Sequence, residues 1–212
     1  MKNNRFTTAQ LTLLGLMAAI LLLMAYTPLG YLNIGPLAVT FNVIPVAVCA
    51  IVLGPTGGAI AGAVFGLTSF MQAIGIGGVS ALGSALFQIN PFMTAVQCFG
   101  PRILDGICIG FIYRAVHKKA NTYVSCAVTG FFSAFLNTLF FMTALIVMFG
   151  NTELIRNLMG GHNIIVGCCL MVGVNAISEM VSSTIITAAV GTALSKAHLI
   201  PAVQIVKTDT AA

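Results

Sequence analysis

Six apolar runs divide the sequence, at 9–26, 41–53, 57–74, 91–116, 123–149 and 164–195. A helix crosses the hydrocarbon core of a bilayer with about 20 apolar residues, fewer or more with tilt. The second run is short enough to begin inside the preceding loop or to re-enter the membrane. The last is long enough to tilt or to extend beyond it. Only 6% of the residues are charged and 58% are hydrophobic, whereas a soluble domain is about 25% charged. A chain this apolar has too little polar surface to face water, so the membrane is its solvent. The expected fold is an all-α integral membrane protein of six transmembrane helices with long outer loops. It forms one domain over residues 1–212, with short tails at about 1–8 and 196–212. The N-terminal run passes from a basic start straight into "TPLG". It lacks the short core and small-residue cleavage site of a secretory signal, and reads as a retained first helix.

Orientation follows from the basic residues. With the N-terminus inside, the inner segments hold Lys2, Arg5, Arg114, Lys118, Lys119, Lys196 and Lys207, the outer segments hold Arg156 alone, and Arg102 lies within a span. Positive charge accumulates on the cytoplasmic side, so a multi-pass protein of the cell membrane with both termini cytoplasmic is expected. The inner turns "LGPTGG" and "HKKANT" are tight. The outer segments "TPLGYLNIGPLAVT", "GIGGVSALGSALFQIN" and "GNTELIRNLMGGHN" are longer and rich in Gly and Asn. The first alternates loosely around Tyr31, Ile34 and Val39 between Gly and Pro, the pattern of a small hairpin. Three long segments on one face suit a lid over a pocket.

Several function classes find no support. The net charge of +5 comes from residues at helix ends, not from a basic patch interleaved with aromatics, so no nucleic-acid partner is expected. Cys49, Cys98, Cys108, Cys126, Cys168 and Cys169 all lie in apolar stretches without metal-site spacing, and read as free, buried fillers. No metal and no cofactor is expected. "GGVSALGS" places Ser80 near glycines but does not complete a nucleophile elbow. There is no His-Glu-x-x-His and no phosphate loop. His117, His162 and His198 fall on both sides of the membrane and build no common catalytic centre. An enzyme is not expected, although an intramembrane enzyme is the rival from another class.

The strongest polar groups share one depth. At about 1.5 Å per residue, Arg102 and Asp105 lie about a dozen residues into the fourth run, Asn137 about a dozen from the outer end of the fifth, and Asn175 and Glu179 a similar distance into the sixth. Arg102 and Asp105 are three apart and can pair on one face. Pro101 removes a backbone donor and frees a carbonyl as an acceptor. Asn175, Ser178, Glu179 and Ser182 follow helical spacing and read as one polar stripe. Ionisable groups inside a membrane face the bundle interior and find partners. Two readings stay open for Glu179 and Arg102. They line a binding pocket roofed by the outer loops, or they are internal glue, with Glu179 neutralised by protonation or by Arg102 and with Asn137 and Asn175 bonding across helices. Asn90 and Gln97, nearer the outside, point to the pocket, and His162 sits at its outer mouth, either as a ligand contact or as a solvated loop histidine.

Small residues form a further pattern. Gly58, Gly62 and Gly66 are four apart and interleaved with Ala59 and Ala63, and Gly15 and Ala19 repeat the spacing in the first run. Such faces let helices approach closely, first of all within the bundle.

The stretches "IPVAVCAIVLGPTGGAIAGAVFGLTSF", "GPRILDGICIGFIYR", "LNTLFF" and "NAISEMV", in this order and with uneven loops, resemble the S components of energy-coupling factor (ECF) vitamin transporters. The resemblance extends from about Leu11 to Leu194. It implies a binding subunit without its own motor, driven by a membrane scaffold subunit and two ATPase subunits. Such a subunit takes a vitamin from outside, under the loop after the first span, and tips in the membrane to release it. It also implies a docking face for the scaffold on the first span, commonly Ala-x-x-x-Ala, for which Gly15 and Ala19 are the nearest match. Asn137, Asn175 and Glu179 match the family's polar pattern. "LGYLNIGPLAVTFNVIP" is most similar to the pantothenate-type branch, with riboflavin, folate or another micronutrient as alternatives. Pantothenate carries a carboxylate that Arg102 could meet.

Overall fold

A computed structural model describes residues 7–27, 31–33, 38–78, 80–158 and 164–197. His162 therefore lies outside the described residues. Seven helices and one small hairpin follow in order: α1 Thr8–Ala25, β1 Tyr31–Asn33, β2 Ala38–Thr40, α2 Val43–Ala73, α3 Ala81–Ile89, α4 Pro91–His117, α5 Thr122–Phe149, α6 Glu153–Leu158 and α7 Ile164–Lys196. Among the described residues, five helices are long and apolar enough to cross a membrane: α1, α2, α4, α5 and the part of α7 over Asn175–Lys196.

The second and third expected runs form α2, which is broken at one point. Gly54 has φ 72° and ψ −164°, a backbone that glycine adopts without steric cost, and Pro55 follows it. The break separates two arms, 43–53 and 55–73. A Cβ built on Gly58 would stand 3.0 Å from the Cβ of Ala50. Eight residues rise about 12 Å along a straight helix, so the two arms fold against each other. The first arm is buried along its whole length. Its Val, Ile, Ala and Cys residues are apolar on every face, the pattern of a helix enclosed by protein. Around it pack Met17 and Leu21 of α1, Ala61 and Phe65 of the second arm, Ile109 of α4 and Ala134 of α5.

Helices α2 and α4 make the most extensive contact among the described residues, and the second arm of α2 meets α4 on the expected glycines. A Cβ on Gly58 would collide with the Gly106 carbonyl, one on Gly62 with the Arg102 carbonyl, and one on Gly66 would lie 2.9 Å from the Cys98 carbonyl oxygen. One four-residue step on α2 answers one four-residue step on α4, in opposite directions. The bundle-internal reading of these glycines therefore holds. Gly130 plays the same part between α5 and α7, where a side chain would meet the Ser183 carbonyl.

The segments expected on the outside contain more structure than loops. Ser80 caps α3 by accepting from the Gly83 N–H at 3.1 Å. Leu86 of α3, Met142, Leu145 and Phe149 of α5 and Ile155 of α6 form a separate apolar cluster. The expected hairpin is present, with Tyr31 opposite Thr40, Leu32 opposite Val39 and Asn33 opposite Ala38. At the other end of the bundle, Tyr113 stacks on His117 at 5.0 Å, and His117 Nδ1 lies 3.3 Å from the Ser125 hydroxyl.

Candidate ligand cavity

A cavity of about 580 Å³ opens between the hairpin, α3 and the halves of α2, α4, α5 and α7 nearest to them. Its volume lies within the usual range for small-molecule sites, about 300–1,000 Å³. Five of the seven expected binding residues line it: Gln97, Arg102, Asn137, Asn175 and Glu179. Asn90 does not. Its side-chain oxygen accepts from the Met93 N–H at 3.1 Å and caps α4, with Pro91 at the first helical position, where a missing N–H costs nothing.

Arg102 is the centre of the site. Proline has no N–H to give to the carbonyl four residues back, so Pro101 leaves the Gln97 carbonyl without its helical partner. Arg102 Nη1 donates to that carbonyl at 3.0 Å, the freed acceptor expected from the sequence. The guanidinium lies between two phenyl rings, 5.0 Å from the centroid of Phe65 and 5.1 Å from that of Phe141. Each ring face attracts a cation. Gln97 braces the arrangement, since its Nε2 donates to the Phe141 carbonyl at 2.9 Å and ties α4 to α5. The Arg102 Nε is buried and has no partner. Its bond to the Gln97 carbonyl is the only hydrogen bond of this guanidinium among the described residues.

The expected Arg102–Asp105 pairing does not form. Asp105 is 2% exposed, its Oδ1 has no partner, and it is not part of the cavity wall. Helical side chains lean toward the helix N-terminus, which carries the long arginine outward to Gln97 and away from the aspartate. Glu179 is not paired with Arg102 either, among the described residues. Its Oε1 accepts from the backbone N–H of Thr40 at 2.6 Å, so the carboxylate on α7 is bonded to the end of β2.

The expected stripe on α7 splits. Asn175 and Glu179 are buried in the cavity wall, whereas Ser178 is exposed and Ser182 returns its hydroxyl to the Ser178 carbonyl at 2.7 Å. The buried polar face continues instead through Ser183 and Thr187, at four-residue steps from Asn175.

Other wall residues were not singled out from the sequence: Phe65, Ser69 and Gln72 on α2, Thr94 on α4, and Thr138 and Phe141 on α5. The first three had a signal, because they continue the face that begins at Gly58 and Gly62. Gln72 Nε2 donates to the Ala25 carbonyl at 2.7 Å, and the Tyr26 hydroxyl lies 3.2 Å from Met71 Sδ. Both contacts hold the start of the outer segment that leaves α1. Gly15 and Ala19 are exposed on the face of α1 opposite Met17 and Leu21, with no atom within 4 Å of a Cβ built on Gly15.

Comparison with known proteins decides the family. The model of the family described as "ECF transporter, substrate-specific component" matches residues 9–191. The chain belongs to that family. This substrate-specific component is 33% identical to the pantothenate transporter PanT of Leuconostoc mesenteroides subsp. mesenteroides over 204 residues, covering 92% of this chain and 95% of the relative. It is 27% identical to the pantothenic acid transporter PanT of Lactococcus lactis subsp. cremoris, covering 90% and 95%. As a substrate-specific ECF component it is a multi-pass membrane protein and the binding subunit of a transporter, not an enzyme. Its family implies association with an energising ECF module and with a substrate.

Proposed function

We propose that this component binds pantothenate from the outside and delivers it to a membrane scaffold subunit with two ATPase subunits. The carrying observation is Arg102: a guanidinium held against the rings of Phe65 and Phe141, in a cavity wall, with a buried Nε that has no partner among the described residues. Arginine recognises carboxylates through paired N–H donors, and pantothenate has one carboxylate on a hydroxylated amide body. Asn137, Asn175 and Glu179 supply polar groups elsewhere in the same wall. Riboflavin has no carboxylate, and Phe65 and Phe141 already face the guanidinium. The names of the relatives agree with this choice. His162 belongs to the proposed outer mouth by sequence position.

The test uses two ligands with the purified protein. Pantothenate is expected to bind, and its alcohol analogue, in which the carboxylate is replaced by CH2OH, at least 100-fold more weakly. Equal binding of the two would remove the carboxylate seat.

The reading includes six crossings with both termini in the cytoplasm. The fold-back at Gly54 supports counting the arms of α2 separately, and the basic bias supports the orientation. Gly15 and Ala19, exposed and small, form the proposed scaffold face. Gly15→Leu is expected to reduce co-purification with the scaffold while pantothenate affinity stays within twofold. Full co-purification would exclude this face.

A further inference from the structure

The segment between α1 and α2 contributes Thr27 and Thr40, near its two ends, to the cavity wall. Its beginning is tied to α2 by Gln72 at the Ala25 carbonyl and by Tyr26 against Met71. Its end is tied to α7 by the Thr40 N–H on Glu179 Oε1 at 2.6 Å. Thr40 is 8% exposed and Glu179 is 5% exposed, and both line the cavity. Thr40 is the last residue of β2, paired opposite Tyr31. Its Oγ1 accepts from the Asn42 N–H at 3.3 Å, so the turn into α2 is built on the same residue. A shift of Thr40 therefore moves both the strand end and the entry to α2.

We infer that Glu179 is a positioning residue that seats the outer hairpin on the cavity by accepting the Thr40 backbone N–H. An intramembrane carboxylate is expensive unless something engages it, and here the engaged group is the cover of the site. Thr40 and Glu179 are both buried, and lifting the hairpin breaks the bond between them. What Glu179 supplies is an acceptor oxygen at one point, which a glutamine side chain also carries. This inference rests on the outer-cavity reading only in taking the hairpin as a cover, and it is independent of which ligand binds.

The test measures hairpin lifting without any ligand. Thr40→Cys keeps the backbone N–H and places a thiol at a buried position. Its reaction with a polyethylene-glycol maleimide, too bulky to enter the cavity, reports lifting once the rate of the parent chain is subtracted. Ser133→Cys, at a fully buried position on α5, reports general unfolding. Glu179→Leu is expected to speed labelling at position 40 at least tenfold and to leave position 133 within twofold. Glu179→Gln is expected to keep position 40 within threefold of the parent, because its amide oxygen still accepts. The inference is overturned if Glu179→Leu leaves position 40 unchanged, or if both positions speed up equally. It is also overturned if Glu179→Gln labels as fast as Glu179→Leu, which would assign the effect to charge. Failure of the unsubstituted protein to bind pantothenate, with these labelling results intact, would count against the ligand reading alone.

Discussion

The second arm of α2 and α4 run side by side, yet their two ends behave differently. Toward the Gly54 turn the backbones touch, Gly58 on Gly106 and Gly62 on Arg102. Toward the hairpin the same two helices carry Phe65, Ser69 and Gln72 facing Thr94, Gln97 and Cys98, and the cavity lies among them. Glycine lets the helices meet, and larger polar and aromatic groups keep them apart. The closed end fixes the Arg102 backbone, and the open end receives its side chain. One helix pair therefore supplies both the rigid base and the room above it.

The largest effect is expected at the closed end. Gly62→Leu would drive a side chain into the Arg102 carbonyl, and overpacking costs typically 1–3 kcal/mol and occasionally more. With backbone as the obstacle, the upper part of that range is expected, read as a fall in thermal midpoint together with lost ligand binding. A variant as stable as the parent would mean that the helices can separate here. Next comes the open end. Phe141→Leu keeps an apolar wall but removes one ring from the guanidinium. A cation–π contact is worth about 0.5–2 kcal/mol, so affinity should fall about 2- to 30-fold with the melting temperature nearly unchanged. If stability falls while affinity holds, the ring packs helices and does not shape the site. The smallest effect on binding is expected just beyond the open end. Asn90→Ala removes a cap worth about 0.5–2 kcal/mol of stability, and affinity in the folded fraction should stay within twofold. A larger loss of affinity would return Asn90 to the site.

The sequence reading found the buried layer because charge and amide groups are rare enough in apolar runs to stand out, and five of its residues share one cavity wall. Pro101 was informative for a similar reason: the absence of one N–H has a single consequence, a free Gln97 carbonyl. Pairing was less legible. Three-residue spacing permits Arg102 and Asp105 to meet, but the lean of the side chain and the available carbonyl decide otherwise. The partner of Glu179 is a backbone N–H on a strand 139 residues away in sequence, and no local pattern announces that. Helix α3 was read as loop because Gly75, Gly77 and Gly78 precede it, although Ser80 is an ordinary cap. The α7 stripe was drawn through Ser178 and Ser182 because helical spacing admits two neighbouring rows, and only packing against α5 selects the one through Ser183 and Thr187.

The enclosed first arm of α2 bears on how the chain is made. Residues 43–53 form a helix of about 16 Å, roughly half the thickness of the hydrocarbon core. The groups that surround it include Ala134 of α5 and, at its margin, Met180, Val190 and Leu194 of α7, all synthesised long after it. An early segment thus waits for late ones before its surroundings are complete. The same delay applies to Thr40, whose acceptor Glu179 lies in the last helix. During biosynthesis the hairpin is left without this anchor until α7 has been made, so nascent chains stopped before α7 are immature in both core and cover.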